Sequence, residues 1–274
     1  MIKQKGPVSD GYDLMFTAVG SFFVIAFTGF VLLLILADIS YINLKAVKTV
    51  LTAGYIRNAM WMSLWTSTTT TVIALLFAVP IGYILSRNRF FGKQLVDIII
   101  DLPIVFPPLV AGLTLLVFFR QTSLGLFIED NLGINFVFQP KGIVICQFLV
   151  SASFAIRSSI TAFNDVDTRY ENVALTLGCS RFATFRKISL PLALNGILAG
   201  AVLTWARAFG LFGPLLIFVG SFRGKTEVLP TTIFLEQSVG NLEVSLTVAL
   251  LLLFVAILCL GLIRIAGGKA LFKL

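Results

Sequence analysis

Asp97 and Asp101 stand one helical turn apart, Cys146, Cys179 and Cys259 are scattered singly, and histidine is absent from all 274 residues. Two carboxylates at that spacing could share acid–base work. No proton-accepting group accompanies them, so pairing with Lys93 or a loop arginine is the preferred reading. Without histidine there is no His-based triad, no imidazole base and no imidazole metal ligand. The cysteines are too far apart for a CxxC metal or redox motif. No metal or cofactor site is expected. A G-x-x-x-x-G-K-[ST] phosphate loop is also missing, so the chain is not expected to hydrolyse ATP by itself. What remains are groups that bind rather than break bonds. They are the hydroxyls of Ser63, Thr66, Ser67 and Thr68 to Thr71, and one arginine, Arg207, in an otherwise apolar stretch.

The elements that must position these groups are membrane spans. Hydrophobic residues make up 58% of the chain and charged ones 12%, against about 25% charged in a soluble domain. A bilayer core needs roughly 20 apolar residues in helix, and six such stretches occur, over residues 16–37, 59–85, 98–119, 142–163, 193–219 and 245–266. The first is longer than the apolar run of a signal peptide and no A-x-A-like site follows it, so it is expected to stay. The chain 1–274 reads as one all-α polytopic domain with six transmembrane helices.

Cations set the expected orientation. With both termini in the cytoplasm, Lys3, Lys5, Arg87, Arg89, Lys93, Arg157, Arg169, Arg181, Arg186, Lys187, Arg264, Lys269 and Lys273 lie inside. The shorter set Lys45, Lys48, Arg57, Arg120, Lys141, Arg223 and Lys225 lies outside. The net charge of +8 then decorates an anionic membrane face, and no nucleic-acid partner is expected.

Within the spans, each chemical reading has a structural rival. An arginine at a helix centre costs about 2.5–3.5 kcal/mol or more, so Arg207 either faces a cavity or pairs or snorkels. Ser67, Thr71, Ala74 and Ala78 recur every four residues or so, which suits close helix packing as well as a hydroxyl-lined path. Pro103, Pro107 and Pro108 predict a kinked third span, either a gate or a plain kink.

The loop 164–192 has internal order. Asn164, Asp165 and Asp167 can cap a short helix over Glu171–Leu177, Gly178 stops it, and Ser180 can cap a second. Phe182, Phe185 and Ile188 then recur at helical spacing beside Arg181, Arg186 and Lys187. The pattern predicts a basic amphipathic helix on the membrane surface, with Pro191 opening the next span.

Gly178, nine residues, then Ile188-Ser-Leu190-Pro191 matches the second half of the EAA signature, and the chain is identified by it as resembling the permeases of bacterial ABC importers. Asp101-Leu-Pro-Ile-Val-Phe-Pro-Pro108 and Arg87-Asn-Arg-Phe-Phe-Gly-Lys93 resemble the third span and preceding loop of molybdate, tungstate and sulfate permeases. So do Tyr170 to Arg181, Trp205 to Gly213, Lys225 to Pro230 and Gly240 to Glu243. Two departures stand out. The EAA triplet falls on Asn172, Val173 and Ala174, with the acid one place earlier at Glu171; and the common G-E-F-G is Gly210-Leu-Phe-Gly213.

The resemblance implies an ABC-importer permease fold whose loop between spans four and five is a coupling helix for a separate ATPase. It implies two ATPase subunits, a second permease copy in a homodimer, and an extracytoplasmic oxyanion-binding protein. The expected coupling residues are Glu171, Asn172, Ala174, Gly178, Arg181, Ile188, Leu190 and Pro191. The expected path residues are Arg207, Ser67, Thr71, Pro107, Gly210 and Gly213. Molybdate or tungstate is the expected cargo in the inner membrane, with sulfate or thiosulfate the alternative. A secondary transporter or channel is disfavoured, because the spans offer only Asp101 as a candidate ion-coupling acid.

Overall fold

Helix is the only way these apolar stretches can satisfy their backbone groups in hydrocarbon, and helix is what they form. A computed structural model describes residues 7–131 and 133–266. Its helices are α1 (Pro7–Ser40), α2 (Leu44–Thr52), α3 (Gly54–Arg87), α4 (Lys93–Val105), α5 (Pro108–Gln121), α6 (Ser123–Asn131) and α7 (Pro140–Asn164). After these come α8 (Thr168–Thr176), α9 (Arg181–Thr184), a π-helical turn (Phe185–Ser189), α10 (Leu190–Phe209), α11 (Gly213–Phe218), α12 (Leu229–Ser238) and α13 (Leu242–Ala266). Lys3, Lys5, Lys269 and Lys273, used above for orientation, lie outside the described residues.

Among the described residues five helices are long and apolar enough to cross a membrane, and the α4–α5 pair makes a sixth crossing if counted as one span. This pair corrects the expectation of one kinked helix over 98–119. The two halves meet at 111°. Proline forces the residue before it out of the α region, and here two act in series: Phe106, before Pro107, has ψ 126°, and Pro107, before Pro108, has ψ 132°. Pro103 lies inside α4 without ending it.

The fifth stretch is corrected at both ends. The segment after Ser180 is not a separate surface helix, because helix continues from Arg181 to Phe209. The π turn at Phe185–Ser189 widens the helix just ahead of Pro191, whose missing N–H a regular turn would have to absorb. At its other end the span breaks at Gly210–Phe212 before the short α11.

The bundle core is α7 packed between α3 and α10. Small residues allow that approach: a Cβ on Gly82 of α3 would sit 2.6 Å from the Ser159 Cβ of α7, and Gly196 and Gly200 of α10 lie against Ala162 and Ser158 of α7. A polar thread runs through it. Thr70 Oγ1 donates to Gln147 Oε1 at 3.0 Å, and Gln147 Nε2 donates to the Ala208 carbonyl at 3.0 Å, joining α3, α7 and α10. On one flank α5 packs on α11; on the other α13 packs on α12 and carries α1. The apolar side chains of α1, including Phe16, Phe22, Phe23, Phe27 and Phe30, are exposed in the single chain, as lipid-facing residues should be.

Candidate functional site

Two regions carry the unusual polar groups. The first is the loop between α7 and α10. Asp167 caps α8 by accepting from Arg169 N at 2.9 Å, and Ser180 caps α9 by accepting from Ala183 N at 3.2 Å. Between them Gly178 has φ 87°, with Gly178 N donating to the Leu175 carbonyl and Cys179 N to the Ala174 carbonyl, both at 3.0 Å. That is a Schellman turn, and its left-handed residue favours glycine. A Cβ there would meet nothing within 4 Å. Backbone conformation, not crowding, is what demands glycine.

Glu171, one position ahead of the family's usual acid, turns inward. Its Oε1 accepts from Arg87 Nε at 2.9 Å and from Ser189 Oγ at 2.7 Å, while the Tyr83 hydroxyl lies 3.5 Å from Oε2. Arg87 also donates to the Val166 carbonyl at 2.9 Å. The two charged side chains are 12% and 9% exposed, which makes this a largely buried, hydrogen-bonded ion pair. Tyr83 packs edge-on against Phe163 and Phe185 above it. One carboxylate therefore ties α8 to the end of α3 and the start of the α10 helix, while Arg87 holds the turn that follows α7.

Of the other loop candidates, Ala174 is buried beneath α8, Ile188 and Leu190 are half-buried, and Asn172, Arg181 and Pro191 are exposed. Exposed beside them are Tyr170, Val173, Leu177 and Phe182, an apolar set facing out of the chain. Sequence spacing offered no sign of Arg87, Tyr83 or Ser189 as partners of Glu171.

The second region is where the two broken helices meet. Gly213, at the start of α11, lies against α5: a Cβ on it would be 3.4 Å from Leu109 Cδ2 and 3.5 Å from Pro108 Cβ. Pro107, Pro108 and Gly210 are exposed. Leu211, where relatives of the resembled family carry Glu, is buried in an apolar cluster with Ala111, Ile143, Leu215 and Phe218. One turn before the break, Arg207 is exposed and makes no hydrogen bond or ion pair among the described residues. Leu203, one turn earlier, shares its outward face of α10.

The hydroxyl candidates lie elsewhere. Ser67 is fully buried and donates to the Ser63 carbonyl, and Thr71 donates to the Ser67 carbonyl, each at 2.7 Å. Both hydroxyl protons are thus given to their own helix. Asp97 and Asp101 are also structural: they pair with Arg157 of α7, Asp97 at 3.1 Å, and not with Lys93 or a loop arginine. Lys93 instead donates to the Leu85 and Asn88 carbonyls at the end of α3. Among the described residues no group of three or more Cys, Asp or Glu could hold a metal.

At the opposite end of α3 sits a second acidic cluster. Glu236 is 2% exposed and accepts from Arg223 at 2.7 Å, Tyr55 Oη at 3.0 Å and Asn241 Nδ2 at 2.9 Å. Glu227, equally buried, accepts from Thr232 at 3.0 Å through Oε1, but its Oε2 has no partner. Burial pushes its carboxyl above the usual range, against the pull of the Thr232 hydrogen bond and the nearby Arg223, while the Glu236 charge adds to the rise.

Residues 78–267 match the family described as the binding-protein-dependent transport system inner membrane component. The chain belongs to that family. It is a multi-pass permease subunit, a transport component rather than an enzyme. The molybdate/tungstate transport system permease protein WtpB of Pyrococcus abyssi is 36% identical over 259 residues, covering 93% of this chain and 96% of that protein. The molybdenum transport system permease protein ModB of Escherichia coli K12 is 36% identical over 187 residues, covering 66% of this chain and 82% of that one. Among solved structures, a bacterial alginate ABC transporter in complex with a pentasaccharide-bound periplasmic protein superposes with TM-score 0.71 at 14% identity, over 95% of this chain and 94% of its own. An inward-facing MetNI methionine ABC transporter does so with TM-score 0.62 at 18% identity, over 80% and 95%. The fold of this permease is thus that of ABC-importer membrane subunits.

Proposed function

We propose that the chain is the membrane subunit of an ATP-driven importer for a tetrahedral oxyanion, molybdate or tungstate, working as a homodimer with two ATPase subunits and an extracytoplasmic binding protein. The buried Glu171–Arg87 pair carries the reading. A loop knitted by hydrogen bonds to α3 and to the start of the α10 helix moves with them, so force applied to α8 reaches the membrane helices without being lost in loop bending. The outward set Tyr170, Val173, Leu177 and Phe182, with Asn172 and Arg181 beside it, is the surface the ATPase grips. Binding and hydrolysis of ATP supply the difference in free energy between the two access states. Gly178, Ala174, Ile188, Leu190 and Pro191 shape the joint.

On this reading the termini, α8 and the Glu171 cluster are cytoplasmic, and α2, α12 and the Glu227–Glu236 cluster face outward, in line with the cation bias. An unpaired arginine on a spanning helix is tolerated only against water or protein, so the face of Arg207 and Leu203 lines the path between two copies. The broken helices at Pro107–Pro108 and Gly210–Gly213 lie where irregular backbone must border protein or a cavity. Arg207 attracts the oxyanion there, and Pro107, Gly210 and Gly213 give the gate its bends. Molybdate or tungstate is favoured over sulfate and thiosulfate because the relative matched along nearly the whole chain is named for them.

The test is uptake of radiolabelled molybdate by the complex reconstituted with its ATPase and binding protein. Tungstate should compete at concentrations where sulfate does not. Competition by sulfate alone would shift the assignment to the sulfate class, and failure to copurify with an ATPase would sink the importer reading.

A further inference from the structure

A cavity of about 380 Å³ opens between α3, α10 and α13, lined by Leu64, Thr68, Val72, Ala201, Trp205 and Cys259. All three helices are long and apolar enough to cross the bilayer. The wall holds few polar groups, and its indole N–H and one hydroxyl are already engaged: Trp205 Nε1 donates to Thr68 Oγ1 at 3.2 Å, and the Thr71 hydroxyl donates to the Ser67 carbonyl. A polar ligand would therefore lose its hydration and gain no strong partner in return.

The position of the mouth selects among apolar occupants. Thr68 and Val72, at its rim, continue an exposed stripe on α3 that includes Trp61, Trp65 and Leu76. These are side chains suited to hydrocarbon, with tryptophans at a flank. On α10, Trp205 and Arg207 are two residues apart, which places their side chains about 200° apart around the helix. The arginine face, which must meet water or protein, thus points away from the cavity, whose side of α10 is left to lipid.

We infer that this cavity is a lateral binding site for one acyl chain of a bilayer phospholipid, entering between α3 and α13 and ending against Trp205. The indole is held there by its bond to Thr68 and by stacking on Phe209, with ring centroids 4.7 Å apart and an interplanar angle of 12°. The chain occupying this site fills a void that would otherwise cost packing energy, and it touches the same helix that carries Arg207 one turn before the break. The inference uses the outward direction of Arg207 from the proposed function, but its test does not depend on transport.

The assembled complex is reconstituted with phospholipid bearing a photoreactive diazirine in the acyl chain, irradiated and mapped by peptide mass spectrometry. Adducts are expected on Trp205 or Cys259, in addition to those on the openly exposed Phe16–Phe30 face of α1. Ala201→Phe, which fills the cavity, should abolish the inner adducts and leave those on α1. Where Ala201→Phe does not assemble, Val72→Phe at the exposed rim serves the same purpose. Adducts on α1 and the α3 stripe but none at Trp205 or Cys259 would overturn the site, as would inner adducts that persist in both filled variants. A disulfide between two copies through Val72→Cys would also overturn it, by showing that a second copy covers the mouth.

Discussion

Arg87 and Arg207 lie on helices of the same bundle and have opposite surroundings. Arg87 is buried and spends its donors on Glu171 and the Val166 carbonyl. Arg207 is exposed, with no partner among the described residues. The proposed function assigns the two to different tasks: a charge held by its partners keeps elements in a fixed relation, and a charge left open on a spanning helix is the one offered to the cargo. The acids at the far end of α3 repeat the contrast: Glu236 has three donors, whereas Glu227 keeps one oxygen bare.

Breaking the satisfied side should have the largest effect on stability. Glu171→Ala leaves Arg87 charged and buried without its partner, at a cost of about 3–5 kcal/mol. A thermal melt of the purified complex should move down strongly, and the same change at Arg207 should not reproduce it. Gly178→Leu comes next: a side chain forced into the left-handed region costs about 1–2 kcal/mol, with room for the side chain itself. ATP hydrolysis should continue in that variant while uptake falls, and unchanged uptake would refute the role of the joint.

On the open side, Arg207→Ala should shift stability by no more than about 0.5 kcal/mol yet remove most molybdate uptake. A melt displaced as far as that of Glu171→Ala would mean that Arg207 is structural and would erase the contrast. Ser67→Ala should do least to transport: uptake stays intact, and loss of a hydrogen bond within its own helix costs about 0.5–1.5 kcal/mol of stability.

Glu227 sharpens the comparison through pH. Its folded carboxyl holds a proton above the range in which the unfolded chain releases it. The stability this contributes is present below the ordinary glutamate value and is lost as pH rises through the raised one. Melting of the complex across that window should therefore slope downward with pH, and Glu227→Gln should flatten the slope. An identical slope in the variant would assign it to other groups.

Much of this was legible in the chain. The apolar runs predict the spans because hydrocarbon leaves helix as the only option, and the Ser67–Ala78 stripe reads as packing because small residues recur on one face. Gly178 and the caps Asp167 and Ser180 are local signals and read locally. The 111° break at Pro107–Pro108 was legible as a kink only: the prolines end the helix, but no local signal gives the angle at which its halves meet. The inward turn of Glu171 was not legible, because its partner Arg87 lies 84 residues away and no periodicity connects them. The continuous helix through Pro191 was hidden for a different reason: a proline reads as a start unless the wide turn that accommodates it is seen.

The central claim is that Glu171 transmits motion as well as holding the loop. It is tested most directly by the number of molybdate ions taken up per ATP hydrolysed in the reconstituted complex carrying Glu171→Gln, which keeps the side chain's shape and removes its charge. The account predicts continued ATP hydrolysis with a clear fall in that ratio. A ratio equal to that of the unaltered complex would contradict it.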